Sequence, residues 1–164
     1  MEVTEDIIRE VEMGNRKITL DLYHYSFNVL MSNAVRYKNH KEDQMEIVNN
    51  AFVKIVTNIS SYKPGTAYFS WIKTIVQREI IDDFRKNKRY KELFKMSDSD
   101  TVQDSVVDPD VYESIDNESA LQMLNVLPPA TKLVFNLYAI EGYKSKEIVE
   151  ELNISYETVK WHIK

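Results

Sequence analysis

The chain has 164 residues, of which 43% are hydrophobic, with a net charge of −5 and no cysteine. This length allows one ordinary domain or two small ones, and the hydrophobic content is sufficient for a core, which excludes a wholly disordered chain. The lack of thiols excludes disulfides and thiolate metal sites, and only three glycines and four prolines favour helices over a turn-rich all-β fold.

Membrane, metal and cofactor functions receive no support from the sequence. The three histidines (His24, His40 and His162) are far apart, so we expect no metal site and no cofactor. The first residues are acidic and amphipathic, unlike a signal peptide. There is no run of about eighteen apolar residues. We therefore expect a soluble, cytoplasmic protein with no membrane insertion.

Four helices are predicted in the first part of the chain. Thr4 is a suitable cap for the first, which Gly14 ends, and the second runs from about Arg16 to Lys38. Thr66 is predicted to cap the fourth helix. The inward positions of the third and fourth helices repeat every three or four residues: Met45, Val48, Phe52, Ile55 and Ile59, and then Phe69, Ile72, Val76, Ile80 and Phe84.

The charges are distributed very unevenly. Residues 96–118 contain eight acidic residues and no Lys or Arg, whereas residues 85–91 contain five basic residues. A DNA phosphate responds to the local charge, so the negative total does not exclude nucleic acid. The acidic, aperiodic stretch predicts a flexible linker over 96–114 between domains over 1–95 and 115–164.

The second domain ends in the pattern of a helix-turn-helix. A helix from Ile115 to Leu127 is stopped by two prolines, and another ends near Gly142. Two short helices follow, with Ser145 and Ser155 as predicted N-caps. Packing of the last two helices is assigned to Ile148, Val149, Leu152, Ile154, Val159 and Ile163, and the candidates for contact with a DNA duplex are Ser155, Tyr156, Glu157, Thr158, Lys160, Trp161 and Lys164. The alternative is a plain helical hairpin with a solvated charged face.

The tract from Tyr62 to Lys91 mixes aromatic and basic residues, a combination that binds single-stranded DNA. Phe69 and Phe84 lie on the apolar stripe and are predicted to be core, and Trp71 fits a core or a contact position equally well. The candidate DNA ligands of this tract are Tyr62, Lys63, Trp71, Arg78, Arg85, Lys86, Lys88 and Arg89.

One face of the third helix is polar and carries Glu42, Asp43, Glu46, Asn49 and Asn50. Carboxylates on one helix face could hold a metal, but no histidine or glycine-rich phosphate loop accompanies them. A solvated face or a protein-docking face is favoured. A metal-dependent nuclease remains a distant alternative, and with no catalytic triad or nucleotide motif in the sequence we expect no enzyme activity.

Taken in order, these motifs resemble the bacterial RNA polymerase sigma factors of the extracytoplasmic-function (ECF) type. The segment Glu46-Ile-Val-Asn-Asn-Ala-Phe52 is similar to the family's Asp-Leu-Val-Gln-Glu-Val-Phe. Similarly placed are Phe69-Ser-Trp71-Ile72 with Ile80-Ile81-Asp82 and Arg85, and then Leu127-Pro128-Pro129, Glu141-Gly142-Tyr143, Leu152-Asn153-Ile154-Ser155 and Thr158-Val159-Lys160.

The resemblance implies an all-α fold of two domains and a set of roles. The face with Glu46, Asn49 and Asn50 would dock on the β′ clamp helices of core RNA polymerase. The 62–66 loop, Arg78 and the 85–89 stretch would read and open the −10 element of promoter DNA. Residues 155–164 would read the −35 element. The linker would thread into the polymerase, and an anti-sigma factor is expected to restrain the protein.

Some positions depart from the family pattern. Asn49 and Asn50 replace Gln-Glu, and Arg78 replaces the usual Asn. The sequence stops at Lys164, where the family's recognition helix normally runs on, which fits either a truncation or a natural divergence. We expect weaker −35 binding as a result. Two alternatives fit the same sequence: a helix-turn-helix regulator that acts without polymerase, and a protein that titrates polymerase or an anti-sigma factor.

Overall fold

A computed structural model describes residues 1–86 and 117–164, and these are helical, with no strand in either range. The expected all-α fold is confirmed. The chain divides into two compact units, Met1–Asp83 and Phe84–Lys164. The predicted linker over 96–114 lies outside the described residues.

The first unit contains α1 (Glu5–Glu12), α2 (Arg16–Ala34), α3 (Lys41–Thr57), a 3-10 turn (Ile59–Ser61) and α4 (Tyr68–Lys86, whose last three residues belong to the second unit). Thr4 caps α1 as predicted, because its Oγ1 accepts the N–H of Ile7 at 3.5 Å. Gly14 then adopts a φ of +78°, a conformation that glycine reaches without strain and that lets the chain turn into α2.

The core of the first unit lies between α2, α3 and α4, and its largest fully buried side chains are Leu22, Leu30, Ile47, Ile55, Ile59, Ile72 and Ile80. One polar link crosses it. Ser26 Oγ donates to the carbonyl of Leu22 at 2.8 Å and lies 2.8 Å from the hydroxyl of Tyr68. Since a serine hydroxyl has one hydrogen, the Tyr68 hydroxyl is the donor to Ser26.

The predicted inward stripe of α4 was wrong at its first position. Phe69 is 42% exposed, while Tyr68 is buried. The buried stripe therefore starts one residue earlier and continues with Ile72, Val76, Ile80 and Phe84 as predicted. Because neighbouring helical residues point about 100° apart, Phe69 is turned out of the core, and its ring packs 4.9 Å from that of Tyr25.

The predicted cap of α4 was also wrong. The carbonyl of Ala67 accepts the first helical N–H, from Trp71 at 3.1 Å, so Ala67 occupies the cap position. Thr66 Oγ1 instead donates to the carbonyl of Lys63 at 2.7 Å. Its hydroxyl stabilises the preceding loop.

The second unit contains α5 (Asn117–Val126), α6 (Pro129–Phe135), a π-helical turn (Asn136–Ile140), α7 (Ser145–Leu152) and α8 (Tyr156–Ile163). Helix α5 ends before Pro128, as predicted, and Pro129 is the first residue of α6. Helix α8 packs against both α6 and α7, around Leu133, Leu137, Ile148, Leu152 and Val159. None of the helices in the two described ranges combines the length and apolar character of a membrane span.

Candidate functional site

The polar face of α3 is exposed, as the sequence predicted. Glu46, Asn49 and Asn50 all face solvent. The hydroxyl of Tyr23 donates to Asn49 Oδ1 at 3.2 Å, and the Tyr23 ring packs edge-on against Phe52 at 4.9 Å. The Asn49 amide is thereby oriented with its N–H groups left for a partner. An apolar groove of about 580 Å³ lies beside this face, and Tyr23 and Phe52 both line it.

A second, more polar pocket of about 290 Å³ lies between the end of α3 and α4. One wall is formed by Lys54, Asn58 and Ser61, and the other by Trp71, Ile75, Arg78 and Asp82. The four α4 residues follow one another at three- or four-residue spacing, which places them on one helix face. We call this site the α3–α4 pocket.

The charges of the α3–α4 pocket are organised around Lys54. Its Nζ lies 2.6 Å from Glu79 Oε2 and 3.0 Å from Asp82 Oδ2, and Glu79 is 3% exposed. The hydrogen bond to Glu79 is the main cause that raises the pKa of Lys54, against the opposing effect of burial. Lys54 therefore stays charged and neutralises a carboxylate that would otherwise be buried alone.

The prediction that Tyr62 presents its ring in a surface loop is wrong. Tyr62 is 5% exposed, and its hydroxyl donates to the carbonyl of Thr66 at 2.7 Å. Its ring packs 5.3 Å from those of Tyr68 and Trp71. A ring held in this way is not free to stack on a base, whereas Lys63 in the same loop is exposed.

The predicted helix-turn-helix is present in α7 and α8. Asn153 takes a left-handed conformation with φ of 51°, which makes the tight turn. Ser155 caps α8 as predicted, because its Oγ accepts the N–H of Thr158 at 3.1 Å. Lys160 Nζ lies 5.1 Å from the ring centroid of Tyr156. Tyr156, Glu157, Lys160 and Lys164 are exposed and Trp161 is half-buried.

Two details of this motif were predicted wrongly. Ser145 is the first residue of α7, and Lys144 occupies the cap position, where its N–H donates to Glu147 Oε2 at 2.6 Å. Thr158 was predicted to face outward, but it is 8% exposed with its Oγ1 2.9 Å from Ser155 Oγ. The helical period places Thr158 next to the face of α8 that packs inward.

A statistical model of the ECF sigma factor family matches residues 1–164. The chain belongs to the ECF sigma factor family. It is therefore a sigma factor that binds core RNA polymerase and promoter DNA and directs transcription initiation, as the resemblance in the sequence implied.

Individual relatives of this sigma factor are distant. It is 23% identical to RNA polymerase sigma factor YlaC of Bacillus subtilis, over 90% of this chain and 86% of that protein. It is 25% identical to ECF RNA polymerase sigma factor SigW of the same organism, over 95% and 88%. A solved structure of the sigma factor RpoE with the anti-sigma factor NepR from Bartonella quintana has a TM-score of 0.46 and 20% identity, over 87% of this chain and 89% of that one.

The structure of this sigma factor brings some of the predicted residues together and leaves others apart. Trp71 and Arg78 share the α3–α4 pocket. Arg85 and Lys86 are exposed at the end of α4, whereas Lys88 and Arg89 lie outside the described residues. Sequence reasoning missed Lys54, Asn58 and Ser61 as pocket residues and named Asp82 only as part of the family-like segment Ile80-Ile81-Asp82.

A metal site gains no support from the described ranges. No three His, Asp or Glu side chains come close enough there to hold an ion.

Proposed function

We propose that this sigma factor acts through three surfaces. The exposed face of α3 docks on the β′ clamp helices of the polymerase. The α3–α4 pocket holds an unpaired base of the −10 element, and α8 reads the −35 element in the duplex. The polymerase carries out the chemistry, and this protein contributes only binding energy. The observation that carries the proposal is the α3–α4 pocket.

The pocket has the composition that an unpaired base requires. Single strands are held by aromatic faces together with cations that meet the backbone. Here Trp71 and Ile75 supply the apolar wall, and Arg78 supplies the positive charge that is left for DNA, since Lys54 is paired with Glu79 and Asp82. The Trp71 ring is fixed by the rings of Tyr62 and Tyr68 at 5.3 and 5.9 Å. Its position is therefore set before DNA arrives, which lowers the cost of binding.

This arrangement also explains strand opening. A base inside a duplex cannot reach the pocket, so the pocket gains binding energy only from the separated strands. Stacking is worth about 1–3 kcal/mol per base, comparable with the few kcal/mol that unstacking a base costs. One captured base therefore offsets much of the cost of opening at that position. The exposed Lys63 and Lys86, together with Lys88 and Arg89, would hold the adjacent phosphates. Arg85 would join them by exchanging its contact with Glu151.

Duplex readout is proposed for α8. Ser155, Tyr156 and Glu157 stand at its N-terminal end, the end that reaches base edges in a helix-turn-helix. Lys160, Trp161 and Lys164 follow on the later turns. Thr158 is excluded by its burial and serves instead to pack α8. We further propose, from the family resemblance, that the acidic linker over 96–114 enters the polymerase between domains 1–95 and 115–164. An anti-sigma factor would then restrain the protein in the cytoplasm.

The test is transcription by core polymerase on a library of genomic fragments, with and without the full chain. We expect defined start sites that require the chain. Glu46→Lys with Asn49→Lys should remove them, because the exchange places two positive charges on the docking face. Glu12→Lys, an exposed charge reversal on α1, is the control and should leave them unchanged.

Two results would contradict the proposal. Start sites that persist in the double variant would remove α3 from the polymerase interface. Tight and sequence-specific binding of duplex DNA by the chain alone, with no effect on polymerase, would indicate a regulator that acts independently.

A further inference from the structure

The two cations of the α3–α4 pocket are in different situations. Lys54 lies 2.6 Å from Glu79 and 3.0 Å from Asp82. An ammonium group has three hydrogens; one bonds to Asp82 Oδ2, and the same nitrogen forms an ion pair with the buried Glu79. Lys54 is therefore largely committed to holding α3 against α4.

Arg78 is the uncommitted cation of this pocket. Within the parts of the chain that the structure describes, its side chain makes no ion pair or hydrogen bond, and it is exposed. A guanidinium presents five N–H donors in a rigid fork and has no acceptor. Such a fork is suited to two neighbouring acceptor atoms in one plane.

The four DNA bases differ in whether they offer such a pair. Guanine has neighbouring acceptors at O6 and N7, which is the pair that arginine most often reads. Cytosine, once unpaired, has neighbouring acceptors at O2 and N3. Adenine and thymine alternate donors with acceptors along these edges, so the fork would meet at least one donor. Guanine and cytosine thus share the chemistry that Arg78 can satisfy.

Asp82 adds an acceptor to the donors that Arg78 offers to guanine and cytosine. Only its Oδ2 contacts Lys54, which leaves Oδ1 as an acceptor on the same helix face as Arg78. In both guanine and cytosine, amine or imine hydrogens lie beside the acceptor pair. A donor fork next to a carboxylate oxygen therefore complements these two bases, and the 290 Å³ of the pocket is ample for either.

We infer that the α3–α4 pocket selects guanine or cytosine over adenine and thymine, and that Arg78 is the residue that makes the choice. The inference rests on the proposed role of the pocket as the site of an unpaired base. Bidentate pairs of this kind discriminate by about 1–3 kcal/mol, which corresponds to roughly 5-fold to 150-fold in affinity.

The experiment uses the full chain with core polymerase on templates whose −10 segment is held open by mismatches and randomised on one strand. Pre-opened templates separate base choice from duplex melting. Wild type is compared with Arg78→Lys, which keeps the charge but loses the fork, and with Arg78→Asn. Lys17→Gln removes a cation from the exposed side of α2 as the control. Bound and transcribed templates are sequenced.

We expect wild type and the control to prefer guanine or cytosine at one unpaired position by roughly 5-fold to 150-fold. Both Arg78 variants should bind templates but lose that preference, while preferences at other positions remain. Substituting 7-deazaguanine or 3-deazacytosine for the preferred base then identifies which of the two is bound, because each lacks one acceptor of the pair. The loss of affinity should appear in wild type and not in Arg78→Lys.

Two results would overturn the inference, and they are distinguishable. If templates are bound and transcribed but the Arg78 variants keep the wild-type preferences, the pocket does not read bases through Arg78, and the proposed function survives. If no template is bound or transcribed above the level of core polymerase alone, the proposed function is wrong, and the inference loses its basis.

Discussion

The hydroxyl of Tyr68 should make a contribution to stability that changes sign with pH. Tyr68 is 6% exposed and donates to Ser26 at 2.8 Å. Tyr68→Phe removes this bond but leaves no donor without a partner, since Ser26 still donates to the Leu22 carbonyl. The expected loss at pH 7 is therefore that of one neutral hydrogen bond, about 1 kcal/mol in the free energy of unfolding.

At high pH Tyr68→Phe should become more stable to unfolding than wild type. Burial is the main cause that raises the pKa of Tyr68 from 10.0 to about 12. Because the folded-state pKa lies above the unfolded value, the associated stability is present in full below pH 10 and is lost as the pH rises towards 12. A difference of two pKa units corresponds to about 2.7 kcal/mol, and roughly half of it is lost by pH 11. Plots of the free energy of unfolding against pH for wild type and Tyr68→Phe should therefore cross near pH 11.

The measurement is equilibrium urea unfolding from pH 7 to 11.5. Trp71 lies in the same aromatic cluster, 5.9 Å from Tyr68, and reports on the first unit when Trp161 is replaced by Phe in every sample. Tyr25→Phe is the control, because it removes a phenol from the same cluster without breaking a hydrogen bond recorded in residues 1–86. Wild-type and Tyr68→Phe curves that stay parallel up to pH 11.5 would refute the reasoning.

Two predictions concern the second unit. Lys132 is 2% exposed and donates to Asn125 Oδ1 at 2.7 Å, and burial lowers its pKa. Lys132→Met removes both the buried charge and this bond, so the free energy of unfolding of the variant relative to wild type should fall as the pH rises from 7 towards 10.5, where wild type no longer carries the penalty for burying the charge; a difference between the two proteins that is the same at pH 7 and 10 in urea unfolding would contradict this. Ser155→Ala should cost about 1 kcal/mol by removing the cap of α8, whereas Ser145→Ala, at a position without a capping bond, should change stability by less than about 0.5 kcal/mol. Equal losses in thermal unfolding would contradict the cap assignment.

The sequence was most informative where the deciding interactions are local. The apolar positions Val48 and Ile55 on α3 and Ile72 and Val76 on α4 are buried as predicted, because burial on one side of a helix imposes a period that can be read directly. Ser155 was identified as a cap by the same kind of short-range pattern.

Other features could not be predicted from the sequence, because a shift of one residue or a contact distant in sequence determines them. The start of α4 at Tyr68 rather than near Thr66 turns Phe69 outward and buries Tyr68. Loop composition suggested that Tyr62 was exposed, yet the ring is enclosed by other rings. The pocket depends on still longer separations, since Lys54 and Asp82 are 28 residues apart in the chain. No periodic pattern reports such a contact.

Trp71 connects the stability of the first unit to its proposed function. Its ring packs on Tyr62 and Tyr68 and also lines the α3–α4 pocket. The aromatic cluster therefore supports one wall of the pocket. Tyr68→Phe keeps the ring and removes only the hydroxyl, and it should therefore alter stability without altering base preference. Arg78→Lys acts at the exposed side of α4 and should do the reverse. If each variant changed both properties, the pocket wall would not be fixed in advance, and the low cost of base capture argued from its rigidity would be wrong.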